Sequence, residues 1–199
     1  DHRDLHSFPT RRSSDLAWTE LERRRLQGYG IFEVEERVSR GPHGKDGRFV
    51  VVGAPDWAVV IPALERDGRR QLVTVRQFRH GSGLPSAEFP GGVVEPGEPP
   101  EAAAARELAE ETAYRAGRIV KLGSCSPNPA FMANTLHIFL AEELTPLPSQ
   151  SLDEHELVDV QLEDEAAVLS GLGDPPWSHA LMATAAWYYA RYRGYSLRS

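Results

Sequence analysis

Short runs of apolar and β-branched residues recur along the chain, and clusters of glycine, proline and charged residues separate them. Runs of this length bounded by turn residues are typical of β-strands. Asp67 and Gly68 predict a tight hairpin turn between two of the runs, and Gly41–Gly44 predicts a turn after the first. Residues 18–28 form a charged approach segment that leads to the first of these runs. We expect strands at residues 29–40, 49–52, 57–64, 71–78, 118–125, 135–141 and 157–162.

Two further segments predict helices. Residues 99–112 are rich in alanine and glutamate, which favour helix. A last helix is expected from Pro175–Pro176 to Arg193, with Asp174 as its N-cap. Strands interleaved with helices, without a strict βαβ repeat, predict an α/β fold in which a mixed β-sheet is sandwiched between α-helices. The longest apolar run, Ala180–Ala190, is too short to span a bilayer.

The composition agrees with one globular domain and argues against some classes of binding partner. The 199 residues are 41% hydrophobic, which is enough for a buried core and too much for a disordered chain. The net charge of −7 argues against a nucleic-acid partner and against binding to an anionic membrane. Because Cys125 is the single cysteine, it has no internal disulfide partner, and we expect a reducing, cytoplasmic location.

The first sixteen residues differ in kind from the rest. They lack the apolar segment of a secretion signal. All sixteen resemble one reading frame of a sequencing-library adaptor. We therefore expect residues 1–16 to be a gene-sequence artefact rather than native protein, and the native N-terminus to be missing.

Negative charge is concentrated in two stretches. Residues 88–114 carry a net charge of −6 and residues 142–165 a net charge of −9, so the remainder of the chain is basic. The two stretches are therefore where we look for chemistry.

The predicted helix in the first stretch places three carboxylates on one face, those of Glu107, Glu110 and Glu111. Repulsion between them costs about 0.2–0.5 kcal/mol per pair, and Arg106 can brace Glu110 across one turn. A hard divalent cation would remove the repulsion, and Mg²⁺ is the usual choice beside phosphate. The residues expected to form the buried stripe of this helix are Ala105, Leu108 and Thr112.

The same helix lies within a longer pattern, G-x5-E-x7-R-E-U-x-E-E-x-G-U with U apolar. Its positions are filled in order by Gly92, Glu98, Arg106, Glu107, Leu108, Glu110 and Glu111. This pattern resembles the Nudix box, and its six fixed identities arise by chance in on the order of 10⁻⁵ of such chains. Ala113 departs from it, because the box ends on a glycine there. The resemblance implies a Nudix fold and metal ligands at Glu107, Glu110 and Glu111.

Two more segments resemble the ADP-ribose pyrophosphatase branch of that family. Val75–Arg79 is similar to the strand V-x-Q-[FY]-R, whose last arginine approaches the substrate phosphates. Glu88–Gly92 is similar to E-[FL]-P-[AG]-G. In such enzymes the carbonyl at Gly91 binds metal, and the side chain at Glu88 lies near the substrate.

The second acidic stretch resembles the loop and strand that supply a catalytic glutamate in that branch. Glu156 is the first choice for this base and Glu154 the second. The resemblance also implies a homodimer in which N-terminal strands help to build the partner's site. Phe49 or Trp57 would then stack on adenine, although either side chain could equally belong to the core. Residues 126–130 depart from the branch's usual loop, which leaves the exact substrate open.

The resemblance therefore predicts a Mg²⁺-dependent hydrolase, with Mn²⁺ as the alternative metal, that cleaves a nucleoside diphosphate linked to another group. ADP-ribose, giving AMP and ribose 5-phosphate, is the expected substrate. The alternatives are another nucleotide-sugar, a dinucleotide cofactor or a nucleoside triphosphate, a Nudix-type isomerase, and a non-catalytic ligand sensor. We expect residues 17–48 to form an N-terminal strand region that takes part in dimerisation, and residues 49–195 to form the Nudix domain.

Overall fold

The computed structural model describes residues 16–195, which divide into two compact units. The first unit contains residues 16–54 and 128–133, and the second contains residues 55–127 and 134–195. The expected adaptor artefact lies outside the described residues except for Leu16. No helix among the described residues is both long and apolar enough to cross a membrane.

The first unit is built on an antiparallel sheet of three strands in the order β1-β2-β3. These strands are β1 (Thr19–Gly28), β2 (Glu33–Arg40) and β3 (Asp46–Gly53). The charged approach segment at residues 18–28 contains strand β1. Arg25 lies 2.9 Å from Glu33 of β2, and Arg24 lies 3.2 Å from Glu36. Cross-strand charge pairs therefore accompany a strand that has no alternating apolar pattern to reveal it.

The second unit contains a seven-stranded sheet in the order β12-β5-β4-β10-β9, with β6 beside β5 and β7 beside β4. Strands β10 and β4 run parallel and the other pairs run antiparallel, so the sheet is mixed as predicted. Strands β8 and β11 form a separate pair. The strands are β4 (Trp57–Arg66), β5 (Arg69–Arg79), β6 (Leu84–Glu88), β7 (Gly91–Val93), β8 (Tyr114–Arg115), β9 (Arg118–Cys125), β10 (Leu136–Glu142), β11 (Thr145–Pro146) and β12 (Asp159–Asp164). The helices are α1 (Pro100–Thr112), α2 (Glu165–Gly171) and α3 (Ala180–Arg193).

Helices cover both faces of this sheet, because alternate residues of its central strands point to opposite sides. Ala58 and Val60 of β4 pack with Leu108 of α1 in one buried cluster. Ile61 packs on the other side with Tyr189 of α3 in a second cluster, which also takes in α2. The predicted α/β sandwich is therefore confirmed.

Two elements begin later than the sequence predicts. The last helix starts at Ala180 rather than near Pro175, because the N–H of Trp177 donates to the carbonyl of Asp174 and closes a turn there. The side chain of Trp177 is buried in the core, which fixes that turn. The last strand runs over Asp159–Asp164, and Leu157 before it is 87% exposed.

Helix α1 ends where the sequence predicts, at Thr112. Ala113 follows it with φ 55°, ψ 34°, a left-handed conformation, and its N–H donates to the carbonyl of Ala109. A glycine reaches this conformation without steric cost, whereas the Cβ of alanine opposes it. The helix that carries the three carboxylates therefore ends in a strained residue.

Replacing Ala113 by glycine should stabilise the protein by about 1 kcal/mol, because the left-handed residue would lose its steric cost. Urea unfolding of both proteins measures this difference. Ala105→Gly is the matched control, since Ala105 is exposed inside the same helix and glycine there should destabilise by about 0.5–1 kcal/mol. Equal effects of the two substitutions would contradict the prediction.

Candidate active site

The carboxylate of Glu111 joins helix α1 to strand β7. Its Oε2 accepts a hydrogen bond of 2.9 Å from the N–H of Gly91, and the residue is only 3% exposed. Burial, together with the nearby charges of Glu107 and Glu156, raises the pKa of this carboxyl to about 8 in spite of the Gly91 hydrogen bond. The site therefore contains a buried acid whose negative charge is poorly compensated.

Strand β7 directs the backbone of Gly91 towards that acid. Gly91 faces Val59 of β4, while backbone hydrogen bonds join Val60 to Pro90 and Val94 to Asp56 on either side. Alternate pairs of an antiparallel ladder exchange no hydrogen bonds, and Gly91 occupies such a position. Its N–H and its carbonyl consequently point away from β4, to the side where Glu111 lies.

Glu107 lies against the next glycine of the same strand. A Cβ on Gly92 would come within 2.3 Å of Oε1 of Glu107, so only glycine allows the carboxylate to take this place. Burial raises the pKa of Glu107, although Arg106 opposes the shift. Glu107 and Glu111 therefore lie beside the consecutive glycines of one short strand.

Arg106 connects the other charges of the motif. Its guanidinium lies 2.8 Å from Glu107, 3.1 Å from Glu110 and 3.0 Å from Glu98. It also donates to the carbonyl of Val93 at 3.0 Å. The predicted pairing of Arg106 with Glu110 is present, and the guanidinium in addition ties helix α1 to the preceding loop and to β7.

The buried face of α1 is not quite the one that the sequence predicts. Leu108 and Thr112 are buried as expected, but Ala105 is exposed and Glu111 is buried in its place. The prediction placed Glu111 on the carboxylate face, apart from the buried stripe. The Gly91 N–H gives Glu111 a partner inside the protein, so the helix turns this acid towards the sheet.

The second acidic stretch is attached to the end of α1. The N–H groups of Leu147 and Ser151 donate to the carbonyls of Ala113 and Glu110, at 2.7 and 3.0 Å. The amide of Gln150 donates to the carbonyls of Glu111 and Val158. Because the last carbonyls of a helix have no partners within it, the chain after β11 satisfies them and brings its own acids close. Nothing in the local sequence pointed to Gln150.

Of the two candidate bases, Glu156 is the one coupled to the helix acids. Its charge raises the pKa of both Glu107 and Glu111, and it acts on Arg79 as well. Its carboxylate accepts from the N–H of Asp153 at 3.2 Å and holds the loop turn. Both acids are exposed, but Glu154 is not among the main charges that act on these groups.

Arg79 and Glu88 form a two-pronged ion pair on neighbouring strands β5 and β6. The Nε and Nη2 atoms of Arg79 donate to the two oxygens of Glu88 at 2.8 and 2.6 Å. Burial would raise the pKa of Glu88, but the hydrogen bonds from Arg79 and the close contact with His179 outweigh it and lower this pKa to about 2. Glu88 is therefore a buried anion that holds Arg79, and His179 beside it was not foreseen from the sequence.

The two aromatic candidates fall in different units. Phe49 belongs to β3 of the first unit, is 43% exposed, and packs edge-on against Trp18 with ring centroids 5.2 Å apart. Trp57 begins β4 in the second unit and packs partly buried against the core there. Stacking by either ring on adenine stays a prediction.

The donor set at Glu107, Glu111 and Gly91 fits a hard divalent cation in chemical type. The raised pKa values of the Glu107 and Glu111 carboxyls show that little positive charge compensates them. The backbone carbonyl of Gly91 on the same side supplies another hard oxygen ligand. Among residues 16–195, no three acidic, histidine or cysteine side chains already converge on one metal position. Glu110, predicted as a further ligand, turns towards Arg106.

The chain is similar in sequence to a known domain family and to several characterised proteins. A model of the NUDIX domain matches residues 54–181. An ADP-ribose pyrophosphatase of Bacillus subtilis is 39% identical over 127 residues, which cover 62% of this chain and 67% of that protein. An ADP-sugar pyrophosphatase of Mus musculus is 41% identical over 88 residues, which cover 42% of this chain and only 38% of the mouse protein.

A similar fold occurs in the solved structure of an ADP compounds hydrolase. The two structures align with a TM-score of 0.75 over 90% of this chain and 97% of that one. Because the sequences are 22% identical, this likeness concerns the fold alone.

Ionisation of Glu111 should make the metal-free protein less stable as pH rises. Its pKa in the fold is about 8, above the ordinary value of 4.5, so the stability that the protonated form contributes is full below about pH 4.5 and is lost as pH rises through 8. Glu111→Gln stays neutral and should lose less stability between pH 5.5 and pH 9. Urea midpoints in the presence of EDTA measure this.

Glu101→Gln is the control, because Glu101 is exposed in the first turn of the same helix. It should follow the parent protein at both pH values. The prediction would be refuted if Glu111→Gln lost as much stability as the parent over this interval.

Proposed function

The chain belongs to the NUDIX domain family, and from that premise we propose that it hydrolyses ADP-ribose to AMP and ribose 5-phosphate. The predicted membership of the Nudix family, and the resemblance to its ADP-ribose pyrophosphatases, are confirmed by the matches described above. The observation that carries the proposed substrate class is the placement of Arg79 close enough to Glu111 and Glu156 for their charges to act on it. The guanidinium of Arg79, which can bind phosphate, thus lies near acids that are suited to binding a metal ion.

Arg79 would bind the diphosphate. Its ion pair with Glu88 occupies Nε and one hydrogen of Nη2, while the side chain stays 44% exposed. No described residue accepts a hydrogen bond from Nη1, so this nitrogen has two N–H groups for a phosphate oxygen. Glu88 would thus contribute to substrate binding by holding the guanidinium, while its own oxygens stay engaged.

Glu107 and Glu111, with the carbonyl of Gly91, would hold Mg²⁺, or Mn²⁺ in its place. When bound, the metal supplies charge neutralisation at phosphorus and acidifies the attacking water. Glu110 would assist from the same helix while Arg106 braces it. Binding of the cation would also keep Glu111 ionised at neutral pH, because it offsets the burial that favours the neutral acid.

Glu156 would accept the proton of the attacking water, with Glu154 as the second choice. Proton transfer needs the base within hydrogen-bonding reach of the water, and Glu156 is the loop acid that influences both helix carboxylates. Its loop is fastened to the end of α1 through Gln150 and Ser151. The base would therefore be positioned by the same helix that holds the metal.

Removing one carboxylate oxygen at a time should separate these roles. Glu107→Gln should abolish ADP-ribose hydrolysis while leaving the fold intact, because a metal ligand is lost. Glu156→Gln should lower kcat by about 10²–10⁴-fold, the usual contribution of a general base. Release of phosphate from the products by an added phosphatase, in the presence of Mg²⁺, measures both rates.

Glu154→Gln is the matched control, since it removes the same charge from the same loop and should keep kcat within about threefold. A panel of nucleotide-sugars and dinucleotides in the same assay tests the substrate. Near-normal turnover by Glu107→Gln would overturn the hydrolase mechanism. Faster hydrolysis of another diphosphate would replace ADP-ribose, and binding of ADP-ribose without turnover would favour a sensor.

We also propose that the protein is a cytoplasmic homodimer, with residues 17–48 as a strand region that takes part in dimerisation and residues 49–195 as the Nudix domain. The first unit supports the dimer, because its small sheet and turns carry several exposed apolar side chains, those of Trp18, Leu21, Leu26, Tyr29, Ile31 and Val50. Phe49 lies on the same sheet, and in the proposed dimer this residue would supply an aromatic ring to the partner's site. The single Cys125 supports the cytoplasmic location.

The molar mass in solution should be twice the chain mass of 22.1 kDa, and light scattering after gel filtration measures it. Ile31→Glu combined with Val50→Glu should yield the monomer, because both side chains are more than 60% exposed in the first unit. Leu157→Glu is the control, since Leu157 is an exposed apolar residue of the loop before β12. A parent protein with the mass of one chain would disprove the dimer.

A further inference from the structure

His179 lies beside the buried partner of the arginine proposed to bind the diphosphate. Its buried Nδ1 is 3.1 Å from Oε2 of Glu88, an ionic contact without the geometry of a hydrogen bond, and the Glu88 side chain is 4% exposed. The same oxygen accepts from Nη2 of Arg79 at 2.6 Å, while Oε1 accepts from Nε. Glu88 is therefore held on one side by a guanidinium and on the other by an imidazole.

The start of helix α3 is fixed against strand β6, so this imidazole has a set position. The N–H of Ala87 donates to the carbonyl of Pro176 at 3.0 Å, and the N–H of Phe89 approaches Sδ of Met182. Ala87 and Phe89 are the chain neighbours of Glu88, and Pro176 and Met182 lie three residues before and after His179. Trp177 and Met182 are both buried, which anchors the segment in the core.

The side chain of His179 does not serve the helix that it precedes. His179 is the N-cap residue of α3, yet its side chain makes no capping hydrogen bond to the helix backbone. Its carbonyl instead accepts from the N–H groups of Met182 and Ala183. The imidazole is thus directed at Glu88 alone among the described acids.

We propose that His179 is a positioning residue for Arg79, acting through Glu88; this inference rests on the function proposed above. A carboxylate held by one arginine can rotate and present a single oxygen to it. The second contact, from His179, keeps both oxygens turned to the guanidinium. Arg79 is then held in one orientation, with Nη1 directed outward for a phosphate oxygen, before any substrate arrives.

Substituting His179 in three ways tests this role. His179→Ala should raise KM for ADP-ribose about tenfold, the effect of one lost polar contact to a buried carboxylate, and change kcat less than threefold. His179→Asn places an amide where Nδ1 lies and should restore KM to within about threefold of the parent. His179→Gln places its amide nearer the position of Nε2 and should resemble the alanine variant.

A double substitution checks that the effect passes through Arg79. In an Arg79→Ala background, His179→Ala should change KM less than twofold, since the group to be positioned is gone. An unaltered KM in His179→Ala, or a full tenfold rise in both backgrounds, would overturn the proposal. Equal KM values for the asparagine and glutamine variants would also overturn it, because a merely structural role does not distinguish them.

A measurement without substrate separates this proposal from the proposed function. The Nε–H of Arg79, identified by its loss in Arg79→Lys, should give a slowly exchanging ¹⁵N NMR signal in the parent and in His179→Asn. The exchange should become at least tenfold faster in His179→Ala. Unchanged exchange would disprove the positioning role whether or not ADP-ribose is hydrolysed, and a parent that lacks turnover would disprove only the enzymatic assignment.

Discussion

The hydrogen bond from the Gly91 N–H to the Glu111 carboxylate is the contact on which the rest of the site depends. A carboxylate that is 3% exposed is stable in a fold only with a polar partner, and β7 supplies one because Gly91 faces away from β4. The bond sets the rotation of α1 about its axis. With Glu111 turned to the sheet, Glu107 one turn earlier must lie over the same strand, and Arg106 next to it must face Glu98 and Glu110.

This contact also explains why β7 begins with two glycines. A Cβ on Gly91 would lie 2.3 Å from the carbonyl oxygen of Ala58, a backbone atom that has no room to move. A Cβ on Gly92 would meet Glu107 instead. The first glycine allows β7 to approach β4, and the second allows the helix acid to approach β7. The two glycines are therefore needed for two close approaches, that of β7 to β4 and that of helix α1 to β7.

Features that depend on interactions between residues close in the chain could be predicted from the sequence, and features that depend on tertiary contacts could not. The end of α1 at Thr112 and the pairing of Arg106 with Glu110 depend on residues within one turn, and both are found. The exposure of Ala105 was missed because the burial of Glu111 depends on a strand twenty residues away. The resemblance to a known family supplied Glu156 and Arg79, which no local pattern would have identified. His179 and Gln150 act through tertiary contacts that neither the pattern nor the resemblance contained.

The two acidic stretches meet because of the way a helix ends. The last carbonyls of α1 lack partners within the helix, and the segment from Leu147 to Ser151 supplies them. The same attachment brings Glu156 near Glu107 and Glu111, at the end of α1 where the helix dipole is already negative. Satisfying the backbone therefore gathers negative charge in one place, and α1 has no basic residue in its last turn to offset it. Arg79 offsets only part of this charge, since Glu88 occupies one side of its guanidinium. A site with this balance suits the proposed function, in which a cation arriving with the substrate's phosphates would offset the acids and let an acidic protein bind an anionic diphosphate.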